Sequence, residues 1–181
     1  MSKPSQVVLL IEDEHQKMLM YRYLIESGLE AGRIRVEASP SGEGSAEAWV
    51  RKRFVKEVLA YRERSARAET RLIVVIYADN LTSQDRLNQL DEALRNSQAQ
   101  AIGNNEQIAR LIPRRNVETW ILCLNGDAVD ELVDYKHSRA DWKPLIPPAS
   151  RTLLAWRQSA QPPAHCVPSL RLGIAELKRL A

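Results

Sequence analysis

The sequence predicts an α/β fold with a mostly parallel sheet, helices on both faces of that sheet and a helical C-terminal tail. Short apolar runs rich in β-branched residues alternate with longer segments whose apolar residues have helical spacing. This alternation is typical of parallel sheets, because parallel strands need crossover connections. A chain of 181 residues with 44% hydrophobic residues is large enough to bury one ordinary core.

Four apolar runs predict strands, at residues 6–11, 33–38, 72–77 and 109–113. Helical spacing predicts the helices that follow them, at residues 14–28, 45–66, 83–98 and 117–124. Three further helices are expected at 128–135, 150–160 and 168–180. We therefore expect residues 1–135 to form the α/β domain and residues 136–181 to form a helical extension packed on it.

The composition argues against a membrane-spanning protein and favours a reducing compartment. No apolar run approaches the roughly 20 residues that a bilayer requires. The polar residues at the start lack the pattern of a secretory signal, so we expect a cytoplasmic protein. Cys123 and Cys166 lie far apart without a metal-binding spacing, and Cys123 belongs to an apolar run typical of a core. A net charge of +3 permits a polyanionic partner but does not require one.

Acidic residues follow the first and third predicted strands. Glu12, Asp13 and Glu14 come directly after the first strand, and Asp79 ends the third. Ligands of open parallel sheets bind beyond the carboxyl ends of the strands, so topology and chemistry point to the same edge. Carboxylate oxygens at that edge suit Mg²⁺ or Mn²⁺. The three consecutive acids are also favourable at a helix N-terminus without any ligand.

The predicted helix 45–66 has a strongly basic face that allows two interpretations. Ser45 is a candidate N-cap, and Trp49, Phe54, Val58 and Leu59 are expected to face the core. The other face carries Arg51, Lys52, Arg53, Lys56, Arg62 and Arg64. These side chains form either an ordinary solvated surface or a surface that faces nucleic acid.

The segment VVLLIEDEHQKMLMYRYL resembles the start of a response-regulator receiver domain, in which acids after the first strand help to hold Mg²⁺. A receiver requires a phospho-accepting Asp after its third strand, a role open to Asp79, and a Lys after its fifth strand. The Lys-Pro pair formed by Lys143 and Pro144 lies in the helix-rich tail and not after a predicted fifth strand. The receiver resemblance therefore ends near residue 30.

The same segment resembles the opening of a Toprim domain, the Rossmann-like metal-binding fold of topoisomerases, primases and certain defence nucleases. The first Toprim motif is a Glu directly after the first strand, here Glu12. The second is Asp-x-Asp after the third strand, and the stretch LIVVIYADN is similar to it. Asp79 matches the second acid if Tyr77 replaces the first. In the other register Asp79 is the first acid and Leu81 replaces the second, so one carboxylate is kept in either case.

A later segment, IPRRNVETWILCLNGDAVDEL, resembles the Pro-x-x-x-x-Glu-x-Trp-Leu-Leu stretch of several Toprim-like families. Its positions are taken here by Pro113, Glu118, Trp120, Ile121 and Leu122. The resemblance to Toprim proteins thus spans roughly residues 6–135, with three motifs in the expected order.

Three polar residues, Arg114, Arg115 and Asn116, precede the helix in this segment. The N-terminal amides of that helix point the same way, so a phosphate could bind there. Arg114 and Arg115 are equally well explained as surface charge. Glu118 is expected either to join a metal site or to pair with an arginine.

The first functional hypothesis is a Mg²⁺- or Mn²⁺-dependent phosphoryl-transfer enzyme, most simply a nuclease. Glu12 and Asp79 would be catalytic and would bind the metal, with help from Asp13 or Glu118. The arginines of residues 114–115 and the basic helix would bind the nucleic-acid backbone. The Toprim resemblance further implies a role in bacterial defence against phage beside an ATPase partner.

The second hypothesis is a catalytically degenerate Toprim-like module that binds or regulates a partner protein through its exposed helices. The presence of Tyr77 where the motif has an acid favours this hypothesis. A receiver-like signalling domain phosphorylated on Asp79 is the third.

Overall fold

A computed structural model describes residues 6–42 and 44–181 of the protein. Its strands are β1 (Val7–Ile11), β2 (Ile34–Ala38), β3 (Arg71–Val75) and β4 (Ile108–Leu111). Its α-helices are α1 (Glu14–Glu26), α2 (Ala46–Ser65), α3 (Ser83–Asn96), α4 (Val117–Leu124), α5 (Ile146–Gln158) and α6 (Pro168–Leu177). Two short 3-10 helices cover Ala31–Arg33 and Lys143–Leu145.

The four strands form one parallel sheet in the order β2-β1-β3-β4. All five residues of β1 are buried, because β1 has neighbours on both sides and helices over both faces. β2 is an edge strand and is only half-buried, which fits its alternating sequence. The expected parallel sheet, with helices on both faces and a C-terminal helix, is confirmed.

Alternate residues of the strands face two separate hydrophobic cores. On one face, Leu9 and Val75 pack with side chains of α1, α4, α5 and α6. On the other, Leu10 and Val74 pack with side chains of α2 and α3. The molecule therefore has three layers, and the sheet between the two sets of helices fixes where its strand ends lie.

The two C-terminal helices contribute to the first of these cores. α5 packs against α1 and α4, and α6 packs against β4. Trp120 of α4 is buried and donates a hydrogen bond from Nε1 to Ser169 Oγ at 2.8 Å. Gly173 of α6 allows this approach, since a Cβ there would lie 2.8 Å from Trp120 Cη2.

One expected helix is absent: residues 128–135 are irregular, with a turn at Glu131 and Leu132. Two aspartates explain this difference, because their side chains bind backbone amides that a helix would otherwise use. Asp130 Oδ1 accepts from Leu132 N at 2.9 Å, and Asp134 Oδ1 accepts from Lys136 N at 2.9 Å. The helical pattern of this segment was therefore outweighed by local side-chain hydrogen bonds.

Helix α2 begins as expected, with the Ser45 side chain accepting from Ala48 N at 3.2 Å. Phe54 and Val58 are fully buried in the second core, whereas Leu59 is 45% exposed, so its expected place in the core was wrong. Cys123 is buried, as its apolar surroundings predicted. Among the described helices, none is both long and apolar enough to cross a bilayer.

Candidate active site

The acids singled out in the sequence meet where β1 and β3 lie side by side. β1 pairs with β2 on one side and with β3 on the other, so the connection from β1 to β2 and the connection from β2 to β3 run in opposite directions across the sheet. Such a switch point opens a crevice at the carboxyl ends of the strands. Glu12 and Asp13 follow β1 at this edge, and Asp79 follows β3, so the expected meeting of these residues depends on the pairing of β1 with β3.

Glu12 is the innermost acid of the site. Its Oε1 accepts a hydrogen bond from Tyr77 N at 2.6 Å, which ties the end of β1 to the chain after β3. Burial raises the pKa of Glu12 from its ordinary value of 4.5 to about 8, against the opposing effect of the Tyr77 hydrogen bond. The nearby charges of Asp79, Asp13 and Glu47 raise this pKa further.

Asp13 begins α1 and has both carboxylate oxygens engaged by the protein. Oδ1 accepts from Gln16 N at 3.0 Å, as expected of a residue that caps a helix, and Oδ2 accepts from the Tyr77 hydroxyl at 2.7 Å. Burial, followed by the charges of Asp13 and Glu118, raises the pKa of Tyr77 well above its ordinary value. Tyr77 therefore stays protonated and donates its hydroxyl proton to Asp13.

Asp79 is presented on a turn with unusual backbone geometry. Its φ is 55°, in the left-handed region that few residues other than glycine adopt, although aspartate and asparagine tolerate it. Leu81 N donates to Ala78 O at 3.0 Å and closes the turn. The Asp79 side chain is 52% exposed. Partial burial raises the pKa of Asp79, the positive charge of Arg86 lowers it, and the negative charge of Glu47 raises it further.

Arg86, on the first turns of α3, holds this turn in place. It is 4% exposed, and it donates to Tyr77 O at 2.9 Å and to Ala78 O at 3.3 Å. It also pairs with Glu47 of α2, and one of its nitrogens lies 3.7 Å from Asp79 Oδ2. The buried guanidinium of Arg86 thus links α2 and α3 to the turn after β3 that carries Asp79.

A cleft of about 490 Å³ opens beside these residues. It is lined by Asp13, Tyr77, Asp79, Asn80, Arg115, Asn116, Asp134 and Lys136. Three carboxylates and two cations therefore face the same space, together with neutral amides. This mixture suits a ligand with both anionic groups and a cation.

The residues before α4 have three different positions. Arg115 is exposed, lines the cleft and donates to Leu132 O at 3.4 Å. Asn116 is buried and donates from Nδ2 to Asp134 Oδ1 at 2.8 Å, so it joins the start of α4 to the 127–136 segment beside the cleft. Arg114 is half-buried and does not line the cleft.

Glu118 is also separate from the cleft. It is fully buried on the first turn of α4, and its Oε1 lies 2.5 Å from His15 Nδ1. Its Oε2 has no hydrogen-bond partner among the described residues. The sequence predicts an arginine or a metal ion as the partner of Glu118, whereas its partner in the structure is His15.

Sequence reasoning missed Arg86, Asp134 and Lys136. Arg86 carried a usable signal, since it lies four residues before Leu90 and eight before Leu94 on the apolar side of α3. A charge on such a stripe is buried only when it is paired. Asp134 and Lys136 gave no comparable signal, because they lie in the segment that was expected to be helical.

Comparison with models of protein families, with curated proteins and with solved structures finds no match for this chain.

Proposed function

We propose that the protein is a Mg²⁺- or Mn²⁺-dependent phosphoryl-transfer enzyme that cleaves nucleic acid. The observation that carries this proposal is the convergence of Asp13 and Asp79 with Arg115 and Lys136 on one cleft. Opposite charges in a single cleft suit the two components of such a substrate, the phosphate and its divalent cation.

The donor set fits an open magnesium site rather than a closed one. Asp13 and Asp79 both line the cleft, whereas Glu12, whose carboxyl group is affected by the charges of both, is not among the lining residues. Residues 6–42 and 44–181 contain no group of three or more His, Cys, Asp or Glu residues arranged to hold a metal ion. Mg²⁺ is commonly bound by one or two carboxylates, with water and substrate phosphates completing its coordination.

The side chains have separable roles in this proposal. Arg115 and Lys136 bind the phosphate, and the left-handed turn directs Asp79 into the cleft. Arg86 keeps that turn in position through the Tyr77 and Ala78 carbonyls. A divalent cation bound there supplies Lewis-acid polarisation of the phosphate and lowers the pKa of water.

A second candidate function is a binding or regulatory module without catalysis, and Tyr77 specifically favours it. The Tyr77 amide and hydroxyl occupy an oxygen of Glu12 and an oxygen of Asp13. Two of the acids expected to bind metal are thus already hydrogen-bonded within the protein. In such a module the cleft would bind an anionic ligand or a partner protein without turnover.

We also propose, from the sequence alone, a cytoplasmic location. A role in phage defence beside an ATPase partner rests on the Toprim resemblance alone.

The test of the enzymatic proposal is cleavage of labelled single-stranded and duplex oligonucleotides with Mg²⁺, Mn²⁺ or EDTA. Asp79→Asn is the decisive variant, because asparagine also tolerates the left-handed turn and removes only the charge. We expect its activity to fall by about 100-fold or more, since changes around metal ligands alone cost about 10–100-fold. Asp127→Asn, an exposed acid outside the cleft, is the matched control.

Metal-dependent cleavage that Asp79→Asn leaves unchanged would contradict the proposal, and so would cleavage that persists in EDTA. Ligand binding at the cleft with no turnover under any metal would favour the binding module instead.

A further inference from the structure

Helix α2 carries a second groove, separate from the acidic cleft, with a volume of about 220 Å³. It is lined by Trp49, Lys52, Arg53 and Lys56. Three cations and one aromatic ring therefore line a single small depression.

The acids around this groove neutralise only part of its charge. Arg53 pairs with two glutamates, at 3.5 Å from Glu37 and 3.2 Å from Glu57. Both glutamates also pair with Arg35, which lies 3.6 Å from Glu37 and 3.1 Å from Glu57. Lys52 and Lys56 are exposed and are not paired with any acid of the described chain. The groove thus presents two ammonium groups that are free to bind an anion.

Trp49 gives the groove an aromatic wall in a fixed position. The residue is half-buried and packs against the core between the sheet and α2, so part of the ring is held by the fold while part lines the groove. A tryptophan whose ring is already fixed by packing loses little conformational entropy when it stacks on a flat ligand. Nucleobases are the common flat ligands of this kind, because every base has an exposed π face when it is unpaired.

The spacing of these side chains matches a nucleic-acid strand. Trp49, Lys52 and Lys56 are three and four residues apart, which places them on the same face of the helix. The two lysines are separated by about 6 Å along the helix axis. Consecutive phosphates of an extended strand are separated by a comparable distance, so one base can stack on Trp49 while two phosphates meet the lysines.

The groove also begins near the carboxyl edge of the sheet. Glu47, two residues before Trp49, pairs with Arg86, which in turn lies beside Asp79. A strand that enters the cleft therefore has a basic helix face next to the same edge.

We propose that the α2 groove binds single-stranded nucleic acid, with a base stacked on Trp49 and the backbone on Lys52 and Lys56. The identity of this ligand as the substrate of the cleft rests on the proposed function, but its binding to α2 needs no metal. An unpaired strand is required because a duplex keeps its bases stacked inside and offers no free face to Trp49.

The test is fluorescence anisotropy of labelled oligothymidylate and oligouridylate of about 12 nucleotides, a length within the range that single-strand sites cover, with the full chain in EDTA. We expect Lys52→Gln and Lys56→Gln each to weaken binding about fivefold at low salt and less at high salt, because each removes one phosphate contact. Lys143→Gln, an exposed lysine elsewhere, is the charge-matched control and should bind like the wild type.

Trp49→Leu should weaken binding of the normal strand about tenfold, yet leave an abasic strand with the same phosphates unaffected. Trp49→Phe, which keeps an aromatic ring in the core, should recover most of the binding and covers the case in which Trp49→Leu unfolds. Equal loss in the Lys143 control, equal affinity for a duplex, or unchanged binding in both lysine variants would overturn the inference. The binding assay contains no metal, so the two proposals can fail separately. An inactive protein can still bind the strand through α2, and a protein that does not bind through α2 can still cleave at the acidic cleft.

Discussion

At the scale of single residues, Glu12 shows how burial sets the chemistry of the site. Its carboxyl group has a pKa of about 8 in the folded protein and an ordinary value of 4.5. Between these values the unfolded chain releases the proton and the folded protein retains it. The contribution of Glu12 to the free energy of unfolding therefore falls as pH rises from about 4.5 to about 8.

We expect Glu12→Gln to remove part of this pH dependence. Glutamine keeps an oxygen that can accept from Tyr77 N, and it carries no charge that burial would penalise. The variant should be more stable than the wild type near pH 8.5 and similar to it near pH 4, values on either side of the interval between the two pKa values. The measurement is urea unfolding across this pH range in EDTA. If wild type and variant keep parallel pH profiles, the raised pKa of Glu12 is refuted.

Some residues of the site could be predicted from the sequence, but contacts between distant side chains could not. Glu12 and Asp79 could be found because each directly follows an apolar run, and their meeting then needed only the pairing of β1 with β3. The contact between His15 and Glu118 could not be found, because 103 positions separate them and neither belongs to a recognisable spacing. Contacts between distant side chains depend on how helices pack, which one sequence does not specify.

At the scale of elements, the close approach of α4 and α6 depends on a single glycine. Gly173 faces the ring of Trp120, and an added Cβ would meet Trp120 Cη2 at 2.8 Å. Trp120 of α4 and Leu170 and Ile174 of α6 belong to the first core, so neither helix can move away freely.

We expect Gly173→Ala to destabilise the fold by about 1–3 kcal/mol, the usual cost of overpacking a filled core, despite the better helix propensity of alanine. Gly32→Ala is the control, since a Cβ at Gly32 meets nothing within 4 Å. Chemical denaturation of both variants measures the difference. Equal stabilities would show that Trp120 can shift to accept the methyl group, and the packing described above would then be wrong.

Most strands and helices could be predicted from the sequence, but the segment 128–135 could not. The buried strands and the helices that follow them were recognisable from apolar runs and from helical spacing, since these patterns record which face is covered. The segment 128–135 was not, because Asp130 and Asp134 bind nearby amides and stabilise turns in a sequence with helical spacing. That error mattered for the site, since Asp134 and Lys136 line the cleft.

At the scale of the whole molecule, the candidate site is a product of the chain order. A parallel sheet with β1 between β2 and β3 brings the ends of two strands, the start of α1 and the turn before α3 to one edge. Asn116 and Asp134 then join the 127–136 segment to the start of α4 at the same edge. In the function proposed above, this edge binds a divalent cation through Asp79 and its acidic neighbours.

The most direct test of that claim is the melting temperature of the wild type and of Asp79→Asn, each in EDTA, Mg²⁺ and Mn²⁺. A ligand that binds only the folded state stabilises it by about 2.7 kcal/mol at roughly 100 times its dissociation constant, or about 5–10 °C for a chain of this size. We predict this rise in the wild type and its loss in Asp79→Asn. An equal rise in both proteins, or no rise in either, would contradict a cation site at Asp79.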